Sequence, residues 1–380
     1  MTSFGFVSSY PPTRCGLATF TESLATAMVE TGAGDARIVR VLDEPSPPSE
    51  ARFSTRAVIA ELVGRDKASM DASIRALNAQ DIVILQHEYG IYGGPDGDEV
   101  ITLLSALTSP TIVVLHTVLE EPTAGQKAVL ERVVALATSV VVMTEAAHEI
   151  LARRFSVDMS KVRVIPHGVA TSLRSTESSS IERTGNVGKR VLTWGLIGPG
   201  KGLEWGIRAM AELRDLGAEY LIVGKTHPKV VFHDGEAYRE RLQAVVAELD
   251  LASQVTFVDT YPDRDELAAF VSSADVVLLP YDSRNQVTSG VLVEAVSAGK
   301  PVVSTAFPHA IELLSSGAGL IVEHENPGAI ARALRAVLQQ DGRAAAMATA
   351  ATRVSFDASW AHVAGRYRAL AASILAVRAA

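Results

Sequence analysis

The sequence is poor in cysteine and aromatic residues, and it contains no long apolar run. Its one cysteine, Cys15, excludes an internal disulfide and a cysteine-rich metal site. No stretch approaches the roughly 18 consecutive apolar residues that a membrane-spanning helix needs. The amino-terminal sequence MTSFGFVSSYPP lacks the basic start and the apolar segment of a secretory signal peptide. We therefore expect a cytoplasmic protein.

Positive charge is also scarce. The 43 acidic residues outnumber the 35 basic ones, and the net charge of −8 argues against nucleic acid as a partner. One basic cluster, formed by Arg153, Arg154, Lys161 and Arg163, is compatible with peripheral membrane contact at most. An apolar content of 48% is that of a soluble globular protein, and a length of 380 residues predicts two domains.

Short β-branched runs alternate with amphipathic segments along the whole chain. Strands separated by helices predict parallel sheets with both faces covered, so the expected fold is α/β with two doubly wound domains. A polar, serine-rich segment at 171–189 predicts a linker between a domain at 1–170 and a domain at 190–356. The predicted strands are Phe4–Ser8, Arg37–Leu42, Asp81–Gln86, Thr111–His116, Ser139–Met143, Val162–Ile165, Arg190–Trp194, Tyr220–Val223, Val255–Val258, Asp275–Leu279, Pro301–Ser304 and Gly319–Val322.

The segment 273–305 carries the strongest functional pattern. A buried strand at Asp275–Leu279 leads through a loop into a helix whose first turn holds three small residues, which leave backbone N–H groups open to a phosphate. Glu294 follows about six residues later, roughly 9 Å along the helix, where the ribose of a nucleoside diphosphate would lie. An ordinary βα connection that binds nothing is the alternative. The three small residues are Thr288, Ser289 and Gly290.

A glycine loop opens the second domain, in the sequence RVLTWGLIGPGKGLEW. The predicted strand ends before Gly195, and the loop that follows contains Gly198 and Lys201. A lysine at the start of a helix can neutralise a diphosphate as a point charge. The alternative is a solvated surface lysine in an ordinary turn.

These two stretches resemble retaining glycosyltransferases of family 4, which have the GT-B fold of two Rossmann-like domains facing a central cleft. Glu294 matches the second glutamate of the family's Glu-x7-Glu region, which holds the donor ribose. The first glutamate, which contacts the transferred sugar, is replaced by Gln286, and this departure indicates an altered donor preference. Lys201 matches the phosphate-binding lysine of the family's Gly-Arg-x-x-x-x-Lys-Gly stretch. The arginine of that stretch is replaced by Leu196, and we expect Arg284 to supply the missing charge.

In the first domain the resemblance is weaker. The loop from Thr13 to Ala18 resembles the family's glycine-rich first loop, which places Gly16 against the donor phosphates and the acceptor. His116 matches a family histidine near the transferred sugar, although a buried structural histidine is the alternative. His87 and Glu88 follow another strand end and are expected on the acceptor side, or in a structural turn. His167 is expected at the hinge or at the donor.

The resemblance implies an enzyme that transfers a hexose, with mannose as the leading choice, from a nucleotide-diphosphate sugar to a hydroxyl of a glycan or glycolipid. The anomeric configuration would be retained, with no cofactor and no metal. Catalytic roles fall on His116, Lys201 and Gln286, and the final helix, 357–380, would pack back on the first domain. Three alternatives stay open: a GT-B phosphorylase acting on a disaccharide, an epimerase, and a non-catalytic nucleotide-sugar sensor.

Metal binding is also conceivable around residues 227–236. The segment contains His227, His233, Asp234 and Glu236, whose side chains are of the types that bind zinc. Their spacing lacks the tight helical pairing of a zinc site, and no Asp-x-Asp motif stands at a strand end. We expect a loop over the donor base, or a lid, with Glu236 starting a helix.

Overall fold

The computed structural model describes residues 1–32, 34–45, 57–170, 188–354 and 358–379. Most of the predicted linker, from 171 to 187, lies outside these ranges. The chain divides into two compact units, one made of Met1–Gly168 with Ala358–Ala380 and one made of Val169–Asp357. Each unit is built on one sheet in which all strand pairs are parallel.

The first unit contains a seven-stranded sheet with the order β3-β2-β1-β4-β5-β6-β7. The chain leaves β1 to build one side of the sheet and then returns to the other side at β4, where Phe4 pairs with Ile82. Ligands of open parallel sheets bind at the carboxyl ends of strands at such a reversal. The strands are β1 Thr2–Ser8, β2 Gly34–Leu42, β3 Val58–Val63, β4 Ile82–His87, β5 Thr111–Leu115, β6 Ser139–Val142 and β7 Val162–Val164.

Helices cover this sheet, and three of them have side-chain N-caps that fix where they begin. Thr144 caps α5, Asp66 caps α2, and Thr123 forms a reciprocal capping box with Gln126 at α4. The helices are α1 Gly16–Glu30, α2 Lys67–Asn78, α3 Glu99–Ala106, α4 Ala124–Leu136, α5 Glu145–Arg154 and, from the end of the chain, α14 Trp360–Ala379.

The carboxyl-terminal helix α14 belongs to the core of the first unit. Its buried residues Val363 and Tyr367 pack in one apolar cluster with Phe20 and Leu24 of α1 and with side chains of β1. The spacing of three to four residues along α14 places these side chains on one face.

The second unit contains a six-stranded sheet with the order β10-β9-β8-β11-β12-β13, which reverses between β8 and β11. Its strands are β8 Arg190–Trp194, β9 Glu219–Val223, β10 Val255–Val258, β11 Val276–Leu279, β12 Val302–Thr305 and β13 Gly319–Val322. Its helices are α6 Leu203–Met210, α7 Pro228–Asp234, α8 Ala237–Glu248, α9 Arg264–Ser273, α10 Gly290–Ser297, α11 Pro308–Leu314, α12 Pro327–Gln339 and α13 Asp341–Val354. The fold class expected from the sequence is confirmed.

The basic cluster of the first unit is engaged within the protein. Arg153 and Arg154 both bind Glu120, at 2.8 Å for Arg153. Lys161 donates to the main-chain carbonyls of residues 134, 135 and 137, and Arg163 donates to those of residues 160 and 162. No helix of the described ranges is long and apolar enough to cross a bilayer.

Candidate functional site

In the second unit, the loops after β8 and β11 meet at the point where the strand order reverses. Gly202, in the first loop, has a positive φ of 57°, and a Cβ there would lie 1.9 Å from the carbonyl oxygen of Pro280 in the second loop. Only glycine fits this contact. Asp282 ties the same loops together, because its backbone N–H donates to Gly200 at 3.0 Å and its carboxylate accepts from the indole of Trp205 at 3.1 Å.

Glu294 lies beside this junction on α10. The indole N–H of Trp194, the last residue of β8, donates to the Glu294 carboxylate over 3.1 Å. The Glu294 side chain is half-buried, and burial raises its pKa to about 7, while the hydrogen bond from Trp194 acts in the opposite direction. A carboxylate that is fixed at one oxygen and poorly solvated is suited to accepting hydrogen bonds from the hydroxyls of a ligand.

Lys201 stands in the β8 loop with its ammonium group 4.2 Å from the centre of the Tyr281 ring. Tyr281 is buried and stacks on Phe307, with ring centres 5.4 Å apart. The aromatic face holds the lysine by a cation–π contact, and within the described ranges its three N–H donors are left for an anion. Arg284, predicted to add a second charge, is exposed and pairs with Glu325 at 3.4 Å; its role stays a prediction.

Helix α10 begins at Gly290, with Ser289 as its N-cap, so the predicted first turn of Thr288, Ser289 and Gly290 starts two residues too early. The Ser289 hydroxyl accepts from the N–H of Leu292 at 3.3 Å, and the Ser289 N–H donates to His309 at 2.9 Å. The Ser289 N–H is therefore not open to a phosphate, although the sequence predicted that it would be. Among the described residues, the N–H groups of Gly290 and the residue after it are left for a ligand.

The loop before α10 presents two polar side chains. The Gln286 amide nitrogen donates to the carbonyl of Thr288 at 3.0 Å, and no partner for the amide oxygen occurs in the part of the chain that the structure describes. The Thr288 hydroxyl is buried and has no hydrogen-bond partner among the described residues. Buried polar groups are nearly always satisfied in native proteins, so this hydroxyl is suited to a bound ligand. Gly198 lies in the facing β8 loop, where a Cβ would lie 3.2 Å from the side chain of Val230.

The first unit brings three histidines together at the carboxyl ends of its strands. His116, just after β5, contacts the Gln86 amide oxygen through Nε2 at 2.7 Å. The Phe20 ring stands edge-on to both His116 and His167, with ring centres 4.9 Å and 5.0 Å apart. His87, the last residue of β4, is buried, and neither of its ring nitrogens has a hydrogen-bond partner among the described residues.

Burial keeps these imidazoles neutral at physiological pH. It lowers the pKa of His87 to about 4 and that of His167 to about 4. Burial also lowers the pKa of His116 to about 3, helped by repulsion from the other two rings. Because the Gln86 oxygen can only accept, the His116 proton sits on Nε2, and Nδ1 is left as an acceptor.

Glu88 lies beside this group, where it accepts from the Tyr89 N–H at 3.0 Å and from the hydroxyl of Thr117. Gly16 is the first residue of α1, and a Cβ at this position would meet nothing within 4 Å. Packing therefore does not require glycine there. The predicted roles of Gly16, His87 and Glu88 stay predictions.

Among the described residues, no group of three or more His, Cys, Asp or Glu side chains is arranged so that it could hold a metal ion. The segment suspected of zinc binding contains the short helix α7, and Glu236 stands at the N-cap of α8 as expected. Sequence reasoning missed Trp194, Tyr281, Asp282 and His309. Their partners in the site are distant along the chain, as with Trp194 and Glu294, which are 100 residues apart.

Comparison with solved structures identifies the fold. Over 98–99% of its length the chain matches solved GT-B glycosyltransferase structures, each at a TM-score of 0.77. They include a glycosyltransferase from Rickettsia africae (15% identical, 99% of that chain covered), Anabaena HepE in complex with UDP and glucose (16%, 100%), and a sucrose-phosphate synthase from Thermosynechococcus elongatus (18%, 100%). The expected GT-B fold is confirmed.

The sequence of the second unit is similar to that of a known family. Residues 188–340 match the family model of Glycosyl transferases group 1, which confirms the resemblance to group 1 glycosyltransferases over this region, while family 4 in particular stays a prediction. A D-inositol 3-phosphate glycosyltransferase from Rhodococcus opacus is 29% identical over 62% of this chain and 53% of its own length, and one from Acidothermus cellulolyticus is 28% identical over 65% and 57%. The chain thus spans little more than half the length of these relatives.

Proposed function

We propose that the chain is a retaining, metal-independent glycosyltransferase that moves a hexose from a nucleotide-diphosphate sugar to a hydroxyl of a glycan or glycolipid. The observation that carries the proposal is the Glu294 carboxylate, fixed by Trp194 3.1 Å away at the reversal of the sheet in the unit that matches the family model. In this assignment Glu294 binds the ribose hydroxyls of the donor and takes no part in proton transfer.

The departing diphosphate is the main electrostatic problem of the reaction. Lys201, held over Tyr281, would neutralise one phosphate, and the free N–H groups at the start of α10 would bind the other. The Thr288 hydroxyl would add a neutral donor. Prepositioned donors of this kind contribute about 3–4 kcal/mol each in comparable anion sites. These groups would stabilise the leaving group without a divalent cation.

Retention is proposed to proceed without a protein nucleophile. Glycosidases that retain configuration use two carboxylates about 5 Å apart. The proposed assignment instead has the leaving phosphate help to deprotonate the acceptor hydroxyl on the same face of the sugar. A neutral His116, with Nδ1 as an acceptor, would bind a sugar hydroxyl, and His87 and Glu88 would bind the acceptor. Charged imidazolium is not needed for any of these contacts.

The donor sugar is proposed to be mannose, on the resemblance to family 4. The amide at Gln286 is expected to influence which donor sugar is preferred. An amide oxygen accepts a hydroxyl proton as a carboxylate does, but without charge. Among the similar proteins, Anabaena HepE binds UDP and glucose, and the curated relatives are named for an inositol phosphate acceptor. Glucose donors therefore belong in the first assay beside GDP-mannose.

The test is an NMR time course of the purified chain with GDP-mannose, UDP-glucose or UDP-N-acetylglucosamine, each with simple sugar acceptors and with EDTA. Release of nucleoside diphosphate with a new α-linked product is the expected result. A β-linked product would refute retention, and activity only after addition of Mg²⁺ would refute metal independence.

Glu294→Ala separates the proposal from a phosphorylase of the same fold. A transferase loses donor affinity with this change, because the ribose contact is gone, whereas a phosphorylase acting on a disaccharide and inorganic phosphate has no ribose to bind. Formation of a sugar 1-phosphate from a disaccharide, unaffected by Glu294→Ala, would overturn the proposal. Nucleotide binding without turnover of any donor would instead favour a sensor.

A further inference from the structure

A buried histidine on α11 holds the loop that precedes α10. The loop Ser283–Ser289, here called the donor loop, ends at the N-cap of α10. His309 is 5% exposed, and its Nδ1 accepts the N–H of Ser289 over 2.9 Å. The backbone N–H of His309 also points to the carbonyl of Gln286, at 3.4 Å. One residue of α11 therefore contacts both ends of the four-residue turn 286–289.

The sequence of α10 explains why an outside group is needed. In a capping box, the side chain of the third helical residue returns a hydrogen bond to the N–H of the N-cap. Here the third residue is Leu292, whose backbone N–H donates to the Ser289 hydroxyl but whose apolar side chain offers no acceptor in return. His309 supplies that acceptor from another helix. The acceptor role requires the neutral ring with its proton on Nε2.

The turn that His309 holds carries the side chains assigned to the donor sugar and its phosphates. Within it the Gln286 amide nitrogen donates to the Thr288 carbonyl at 3.0 Å, so the orientation of the amide depends on the shape of the turn. The buried Thr288 hydroxyl lies in the same turn. A shift of the turn would move both groups together, while Glu294 on the body of α10 would keep its contact with Trp194.

We propose that His309 is a positioning residue that sets the donor loop for the sugar end of the donor; this inference rests on the proposed function. His309 acts through Gln286 and Thr288 and touches neither substrate. Its loss should therefore reduce turnover of a nucleotide sugar far more than it reduces binding of the nucleoside diphosphate alone, because Glu294 and Lys201 are left in place.

The test compares His309→Phe, which keeps a ring but has no acceptor, with His309→Asn, whose side-chain oxygen takes the place of Nδ1. His362→Phe, at an exposed position on α14, is the matched control. With the donor that the wild type turns over, His309→Phe should lower kcat by about tenfold or more, and His309→Asn should recover most of the loss. Calorimetry with UDP and GDP should show a loss of affinity in His309→Phe that is smaller than its loss of kcat, because Thr288 would shift while Glu294 and Lys201 stay in place, and an affinity near that of the wild type in His309→Asn.

A double-mutant cycle decides whether His309 acts through Gln286. If it does, His309→Phe should cost little in a Gln286→Ala background, because the side chain that it positions is gone. Equal, additive losses in both backgrounds would overturn the proposal. So would equal losses in His309→Phe and His309→Asn that follow their melting temperatures, since these would show a structural role only.

Hydrogen exchange gives a readout that does not depend on turnover. Amides of the donor loop and the first turn of α10 should exchange faster in His309→Phe and return toward wild type in His309→Asn. Unchanged exchange in His309→Phe would refute the contact itself. If the wild type turns over no nucleotide sugar, the proposed function fails and the positioning role falls with it, while the exchange result still decides whether His309 holds the loop.

Discussion

Because the Glu294 carboxylate is half-buried, we expect that replacing it stabilises the fold at high pH but weakens nucleotide binding. Its pKa is raised from 4.5 to about 7 because burial disfavours the charged form. The folded chain therefore binds this proton more tightly than the unfolded chain does. The contribution of Glu294 to stability is complete below the unfolded pKa and is lost as the pH rises toward the folded pKa. Glu294→Gln removes the titration and keeps an acceptor for the Trp194 indole.

The size of the effect follows from linkage. For a pKa shift from 4.5 to about 7, the free energy of unfolding of the wild type falls by about 2.5 kcal/mol between about pH 5 and pH 8, and that of the glutamine variant does not. The partial solvent contact of the side chain lowers this to about 1–2 kcal/mol. For a unit of this size that is a difference of about 2–8 °C in melting temperature. The melting temperature of Glu294→Gln should thus rise relative to that of the wild type as the pH increases.

The assay is thermal unfolding of the full chain at closely spaced pH values from about 5 to 8, with Glu294→Gln and wild type side by side. Glu240→Gln, at an exposed position on α8, is the matched control and should follow the wild type at every pH. Calorimetric titration with UDP and GDP completes the experiment. The same variant that is stabilised at high pH should bind the nucleotide more weakly, because a neutral amide accepts ribose hydroxyls less strongly.

Two results would refute this reasoning. A difference in melting temperature between Glu294→Gln and wild type that is constant across the pH range would show that the carboxyl is not shifted. A stabilised variant with undiminished nucleotide affinity would show that Glu294 is buried for structural reasons and does not bind the ribose.

Three further predictions concern the same unit. Lys201→Met should weaken UDP or GDP binding by about tenfold and reduce its dependence on salt, as measured by calorimetry at two ionic strengths; unchanged binding would remove the lysine from the donor site. Gly202→Ala should destabilise the second unit by about 2 kcal/mol or more, because its Cβ would lie 1.9 Å from the Pro280 carbonyl oxygen, and urea unfolding that shows no change would contradict this contact. Trp194→Phe removes the hydrogen bond that lowers the pKa of Glu294, so the pH midpoint of nucleotide binding should move upward; a midpoint that stays or falls would exclude the bond as a control of this pKa.

The pattern of apolar runs predicted twelve of the thirteen strands in the described part of the chain, mostly to within a residue or two at each end, with β2 extending three residues further toward its start. The strand that it missed, β3 at Val58–Val63, lies at the edge of the sheet and is only partly buried, so it lacks the continuous apolar run of the central strands. The run ending at His116 was read one residue too long, because His116 follows β5 and its side chain is held by Gln86 instead.

The residues of the candidate site that lie in local motifs could be proposed from the sequence. Lys201 and Glu294 lie in short motifs at strand ends, where spacing together with the resemblance to family 4 pointed to them, and their roles stay predictions. Trp194 and His309 were not found, because each acts on a residue of a different element, and tryptophan or histidine in an apolar surrounding is ordinary core material. The hydrogen bond of the Ser289 N–H could not be predicted either, because its acceptor is a histidine 20 residues away and helix-capping rules consider only neighbouring residues.

The place of α14 in the chain has a consequence for biosynthesis. Its residues complete the apolar core of the first unit, yet they leave the ribosome only after the whole second unit has been made. The first unit therefore cannot complete its core during this time, and the face formed by Phe20 and Leu24 stays uncovered. The second unit is able to fold as soon as it emerges. Synthesis that stops before α14 would release a chain with one finished unit and one exposed apolar face.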